Sequence, residues 1–188
     1  QANIGIAMGR TGTEVAKEAA DMVLTDDNFA SIEAAVEEGR CVFDNLKKFI
    51  VWTLPTNAGE ALATMVAIFG GMALPVAPVQ ILWINMTTAL CLGMMLAFES
   101  REPDLMQRPP RDSKTPIMTW DLIARTIVLG GFLALGVFWI FFYERNNGLS
   151  IEEARTAAVG VLVIGELFYL FNCRSLSKSM FTLGVFSN

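Results

Sequence analysis

Residues 49–72 read FIVWTLPTNAGEALATMVAIFGGM, an apolar run of membrane-spanning length with a carboxylate, Glu60, near its middle. About 20 apolar residues at roughly 1.5 Å each cross a hydrocarbon core, so the length fits a transmembrane helix. A glutamate at that depth costs roughly 2.5–3.5 kcal/mol on insertion scales and is a functional-site hypothesis by default. Asn57 precedes it by one helical turn on the same face. Pro55 has no amide hydrogen, which leaves the Val51 carbonyl without its helical partner and predicts a kink just before Asn57.

Upstream, residues 29–48 are polar and amphipathic: Ile32, Ala35, Val36 and Gly39 share one face, with Glu33, Glu37 and Glu38 mostly elsewhere. No loop signal separates this segment from the apolar run. The expectation is one stalk helix that starts in water and continues into the bilayer, with Asp26-Asp27-Asn28 as its N-cap. Residues 1–28 read as soluble α/β, with a strand in Ile4–Gly9, a short helix over Thr13–Ala20 and a strand at Met22–Leu24. Two short parallel strands have unpaired edges and cannot stand alone, so their partners are expected in sequence outside this chain. The opening at Gln1, without a signal-peptide pattern, also reads as an internal piece of something longer.

Downstream, Gly70-Gly71 and the prolines at 75 and 78 close the first span. Residues 79–98 form a second span, 120–143 a third and 154–172 a fourth, whose start reaches back toward Ile151. The connections are a loop at 99–119, a shorter loop at 144–153 and a tail at 173–188. Lysine and arginine set the orientation. Lys47, Lys48, Arg101, Arg108, Arg111, Lys114, Arg174 and Lys178 share one side, against Arg145 and Arg155 on the other. The stalk, the 99–119 loop and the tail are therefore expected in the cytosol, and 144–153 outside it. The loop, stiffened by Pro109-Pro110, either braces the cytosolic head or is a solvated charge cluster.

Composition agrees with a multi-pass membrane protein whose partner is the lipid bilayer: 53% of the 188 residues are hydrophobic and the mean hydropathy is +0.46. The net charge of −5 and the lack of a basic tract argue against nucleic acid as a partner. The chain has no histidine, the commonest zinc and copper ligand. Cys41, Cys91 and Cys173 are too scattered for a C-x-x-C metal or redox motif.

Polar intrusions recur in two other spans. Asn85 and Thr88 are i,i+3 neighbours in the second, and Glu166 lies in the fourth. Carboxylate, amide and hydroxyl are hard oxygen donors, suited to Ca²⁺, Mg²⁺, Mn²⁺ or alkali ions. Two readings of Asn57, Glu60, Asn85, Thr88 and Glu166 stay open on residue type alone: a cation site, or interhelical hydrogen-bond glue.

The residues also resemble a known family. Ile4-Gly5-Ile6-Ala7-Met8-Gly9, Val15-Ala16-Lys17, Met22-Val23-Leu24-Thr25-Asp26-Asp27-Asn28-Phe29 and Val36-Glu37-Glu38-Gly39-Arg40 resemble the P-type ATPases, from the end of the phosphorylation domain into the fifth transmembrane helix. Asn57-Ala58-Gly59-Glu60, Pro78-Val79-Gln80-Ile81-Leu82-Trp83-Ile84-Asn85 and Arg108-Pro109-Pro110-Arg111 are similar to its type II, calcium-pump branch. The resemblance implies a mainly α membrane protein: four transmembrane helices (five to eight of the family) behind a partial HAD-like α/β segment. It implies that Asn57 and Glu60, Asn85 and Thr88, and Glu166 match transport-site ligands of the fifth, sixth and eighth helices. The transported cation would be Ca²⁺ first, with Mn, Mg, Na, K or a proton as alternatives, in a prokaryotic plasma membrane.

One departure stands out. Ala89 occupies the position where sarcoplasmic-reticulum-type calcium pumps carry an aspartate, so at most one divalent ion per cycle is expected. The resemblance also implies a parent enzyme that hydrolyses ATP with Mg²⁺, both bound in domains outside this chain. The phosphorylated aspartate is absent here, so the fragment alone is not expected to turn over. A passive channel or carrier and a non-transporting scaffold are the rival readings.

Overall fold

The computed structural model describes residues 3–112 and 114–175; the expected tail beyond 175, including Lys178, lies outside them. A small α/β unit opens the chain. Strand β1 (Ile6–Met8) pairs in parallel with β2 (Met22–Leu24), Ile6 opposite Met22 and Met8 opposite Leu24, across helix α1 (Glu14–Ala19). Thr13 caps α1 by accepting from the Ala16 amide.

The three polar residues after β2 divide their work. Asn28 Oδ1 accepts from the Ala30 amide, and Asp26 accepts from the Asn28 amide and the Ser31 hydroxyl, so these two serve the start of helix α2 (Ala30–Phe69). Asp27 turns back instead. At φ 55° its carboxylate accepts from the Arg10 and Thr11 amides and the Thr11 hydroxyl, holding the loop after β1. These bonds, led by the Arg10 amide, pull its pKa from 3.8 to about 2. A depressed carboxylate stabilises the fold above its ordinary value, and that contribution drains away as pH falls from about 4 toward about 2. Asp27→Asn keeps a side chain that tolerates positive φ, removes the charge and turns one of the two acceptor oxygens into an NH2 donor. It should speed amide exchange at Arg10 and Thr11 at neutral pH by roughly 5–10-fold, leaving α2 amides unchanged, as read by hydrogen–deuterium exchange.

Helix α2 runs about 60 Å without interruption, its polar first half passing into the apolar second half through Pro55. It ends at Phe69 in a Gly70-Gly71 turn, where Gly71 takes φ 62° and the Met72 amide returns to the Ala67 carbonyl. Pro78–Ala97 follows as α3 (Pro78–Ile84), a π-helical turn at Asn85–Ala89, and α4 (Leu90–Ala97). Helices α5 (Trp120–Asn146) and α6 (Ile151–Cys173) complete the bundle. Among the described residues the chain is thus mainly helical, with one small strand pair.

Pro78–Ala97, Trp120–Asn146 and Ile151–Cys173 are each long and apolar enough to cross a membrane. The second half of α2, expected as the first of four spans, is not among them. The reason is local: Pro55, Thr56, Asn57 and Glu60 lower its mean hydropathy, and Pro55, Thr56 and Glu60 are buried within the bundle.

Helix α2 packs against α4, α5 and α6. Its approach to α5 is close because Gly59 and Gly130 face one another; a Cβ on Gly59 would stand 2.9 Å from Leu133 Cβ and 3.3 Å from the Gly130 carbonyl. Gly59→Val should therefore push the helices apart and cost about 1–3 kcal/mol, seen as a lower unfolding midpoint in detergent, whereas Gly131→Ala, with open space around it, should be neutral.

Candidate functional site

Two apolar clusters fill the bundle, and the polar residues lie between them on every helix that carries them. One cluster contains Ala63, Ile84 and Leu162; the other contains Val51, Trp52, Leu96 and Leu170, with Ala89 packed on it. On α2, Glu60 falls between Trp52 and Ala63; on α6, Glu166 falls between Leu162 and Leu170. Thr88 falls between Ile84 and Leu96. Three helices that satisfy their apolar neighbours in this register bring their polar side chains to one level.

Glu60, Thr88 and Glu166 are buried there, at 5%, 6% and 2% exposure. Asn85 Nδ2 donates to Glu60 Oε2 at 2.6 Å and to the Ile81 carbonyl at 3.2 Å. The Thr88 hydroxyl donates to the Ile84 carbonyl at 2.8 Å and also interacts with the Glu166 carboxyl. Glu60 and Glu166 are near enough to repel one another. Glu60 Oε1 and Glu166 Oε2 are buried without a hydrogen-bond partner among the described residues. Buried oxygens of this kind are costly unless paired, a cost that either a bound cation or a proton on the carboxyl would meet.

Four of the five residues singled out in the sequence thus meet. Asn57 does not join them: it is exposed, and its amide donates to the Thr53 carbonyl of its own helix at 3.1 Å. Among the described residues no group of three or more Asp, Glu, His or Cys could hold a metal, so two carboxylates would share an ion with amide and hydroxyl oxygens. Ala89 stands beside this set, at the end of the π turn, and contributes only a methyl group to the Trp52 cluster.

The π turn is a feature that periodicity does not predict. Within it, the Asn85 and Thr88 side chains bond carbonyls four residues back, as Thr56 and Asn57 do in the regular helix α2. Trp52 and Tyr169 also link the two carboxylate-bearing helices without having been singled out. Trp52 Nε1 donates to the Glu166 carbonyl at 3.1 Å, and the Tyr169 hydroxyl to the Val51 carbonyl at 2.9 Å.

At the polar end of the bundle the 98–119 loop is anchored along α2. Arg40 donates to the Leu105 and Arg108 carbonyls, Arg108 pairs with Asp44 at 2.6 Å and Arg101 with Glu37 at 2.7 Å. Arg111 lies over the Phe43 ring at 4.5 Å. Asp44 and Asp104 hold the Arg108 guanidinium firmly charged. Of the two readings of this loop, a brace and a solvated cluster, these contacts favour a brace, with the stalk half of α2 as the part braced.

Comparison with known proteins gives the same picture. Residues 73–188 match the family model described as "Cation transporting ATPase, C-terminus". The "Probable cation-transporting ATPase F" of Mycobacterium tuberculosis (strain ATCC 25618 / H37Rv) is 61% identical over 188 residues, covering 100% of this chain and 21% of that protein. "Cation-transporting ATPase pma1" of Synechocystis sp. is 42% identical over 179 residues, covering 95% of this chain and 20% of that protein. The "Calcium-transporting ATPase" of Bacillus subtilis (strain 168) is 40% identical over 192 residues, covering 100% of this chain and 21% of that protein. The chain spans about a fifth of the length of the curated relatives it matches. With the family model covering more than half of its residues, and buried oxygen donors gathered between its apolar helices, the chain belongs to the cation-transporting ATPases and carries their C-terminal region.

Proposed function

We propose that this chain is the membrane and ion-binding portion of an ATP-driven cation pump, and that Glu60, Asn85, Thr88 and Glu166 hold the ion, with Asn57 as a candidate fifth ligand. The observation that carries the reading is the meeting of two buried carboxylates with an amide and a hydroxyl from three separate helices. ATP and Mg²⁺ would act in domains outside this chain. The resulting change would pass down α2, whose polar half is held by the 98–119 loop and whose apolar half carries Glu60. A shift of α2 against α6 alters the distance between the two carboxylates, and so the affinity for the ion. Two such states are what transport against a gradient requires.

Ca²⁺ is the leading cargo, at one ion per cycle or fewer. Its support is the oxygen-only donor set and the calcium-transporting names of relatives near 40% identity. Ala89 favours the second reading, another cation, because a two-carboxylate site is a weaker divalent site than a three-carboxylate one. The loop and stalk would face the cytosol of a prokaryotic cell, by the lysine and arginine bias.

The test is ATP hydrolysis by the reconstituted full-length protein across a cation panel, at micromolar free Ca²⁺, with and without Glu60→Gln. Ca²⁺ stimulation that the substitution removes supports a calcium pump working without an aspartate at position 89. Stimulation by a different cation, removed in the same way, moves the assignment to that ion. Cation stimulation untouched by Glu60→Gln sinks the site.

A further inference from the structure

The Val51 carbonyl is the one that Pro55 deprives of its helical donor, since residue 55 has no amide hydrogen to return to it. Inside an apolar bundle such a carbonyl needs another partner. It has one from a different helix: the Tyr169 hydroxyl of α6, at 2.9 Å. One residue on, the direction of donation reverses, and Trp52 Nε1 of α2 reaches the Glu166 carbonyl of α6 at 3.1 Å. Trp52 is 1% exposed and its bond is fully buried, while the Tyr169–Val51 bond is half-buried. Arg125 and Cys173 lie beside the same Tyr169 hydroxyl.

Val51 faces Tyr169 while Trp52 faces Glu166, so α2 and α6 run antiparallel here. A helical side chain leans toward its own N-terminus, which for Glu166 is the direction of Glu60. Tyr169 follows Glu166 by three residues and shares its face. The crossed pair of bonds therefore lies within one turn of Glu166 on α6 and a little over two turns from Glu60 on α2, and it fixes how far α6 is advanced along α2.

We propose that Tyr169 is a positioning residue for the cation site: by completing the carbonyl that Pro55 exposes on α2, it sets the register of α6 and with it the placement of Glu166 against Glu60. This rests on the reading of Glu60 and Glu166 as ion ligands. Two sequence features that look unrelated, a proline in one span and a tyrosine in another, then form one device. An α2 able to satisfy Val51 by itself would have no use for the hydroxyl.

That last statement is the test. The apparent cation affinity and maximal rate of ATP hydrolysis are measured on the full-length ATPase for wild type, Tyr169→Phe, Pro55→Ala and the double variant, with Glu60→Gln alongside. Tyr169→Phe should weaken apparent affinity by about 3- to 15-fold, the size of one interhelical hydrogen bond, with the maximal rate retained. Pro55→Ala restores an amide to the Val51 carbonyl, so in that background Tyr169→Phe should change affinity by less than about twofold.

Unchanged affinity in Tyr169→Phe overturns the proposal, and so does a loss of equal size in both backgrounds, because the hydroxyl would then act elsewhere than on Val51. Should Tyr169→Phe fail to assemble, recovery of folded protein by Pro55→Ala supports the pairing and continued failure overturns it. Normal cation activation in Glu60→Gln removes the site itself and this role with it. Lost activation in Glu60→Gln with a silent Tyr169→Phe removes only the role of Tyr169.

Discussion

Replacing Glu60 by glutamine should lower the apparent cation affinity of the full-length ATPase by at least about 100-fold, leaving the folded protein intact. Glutamine has the shape of glutamate and still offers a carbonyl oxygen to the Asn85 amide, which Glu60 Oε2 accepts now at 2.6 Å. What it lacks is the charge. Glu60 and Glu166 supply the two carboxylates of the proposed ligand set, so one substitution halves its negative charge. Truncating one partner of a buried, hydrogen-bonded charge pair costs about 2–5 kcal/mol, equivalent to roughly 30- to several-thousand-fold in affinity. A site with two carboxylates has little reserve, which places the expectation in the upper part of that range. Cation-dependent ATP hydrolysis, together with equilibrium binding of radioactive calcium, reads the loss. Glu166→Gln should match it, since the second carboxylate is equally buried. Asn57→Ala decides a separate matter. Its amide is spent on Thr53 and it is exposed, so a loss within about threefold leaves it outside the ligand set, while a loss as large as that of Glu60→Gln brings it in.

The sequence made the membrane class, the long α2 and the level of the polar residues legible, because each rests on periodicity or on a residue out of place within one helix. Glu60 and Glu166 announce themselves as carboxylates in apolar runs, and the helical spacing of Asn85 and Thr88 points them to one side. What periodicity cannot report is which face of one helix meets which face of another. Gly59 reads as a neutral small residue until Gly130 is opposite it. Tyr169 reads as an interfacial aromatic until its hydroxyl is seen on the Val51 carbonyl. Lysine and arginine set the expected orientation but mislead on burial. Lys48 counts as a cytosolic charge in that reading, yet it is 1% exposed and lies 3.6 Å from Glu102, with Asn45 Oδ1 accepting from its ammonium at 3.2 Å. The π turn was hidden too: Asn85 and Thr88 bond the carbonyls at 81 and 84 just as Thr56 and Asn57 bond those at 52 and 53 within a regular helix, so residue type does not announce the wider turn.

Removing one side of the Glu99–Arg174 pair should be the most destabilising change at the polar end of the bundle. The two side chains are each 8% exposed and meet through both guanidinium Nε and Nη2, at 2.9 to 3.2 Å. Breaking a buried ion pair from one side strands a charge and costs about 3–5 kcal/mol, far more than a surface pair. Glu99→Ala should therefore lower the unfolding midpoint of the detergent-solubilised protein strongly. Glu99→Met together with Arg174→Met, which removes both charges and keeps the volume, should recover most of the loss. Recovery should stop short of complete because Arg174 makes further contacts. Glu102→Gln should also be destabilising, because it strands the Lys48 ammonium, 1% exposed; the cost is smaller since that pairing is looser, at 3.6 Å, and Asn45 Oδ1 still accepts from Lys48. The ranking matters for the site as well as for stability. Asn45 of α2 donates to the Ala97 and Glu99 carbonyls, and Glu99 in turn holds Arg174 just beyond the end of α6. Glu99 therefore ties together the helix of Glu60, the segment of Asn85 and Thr88, and the helix of Glu166. Glu99→Ala removes the Arg174 arm alone, because Asn45 bonds the backbone carbonyl at 99; an unchanged unfolding midpoint would mean that this arm does not hold α6 in register and that the apolar clusters above it carry the burden.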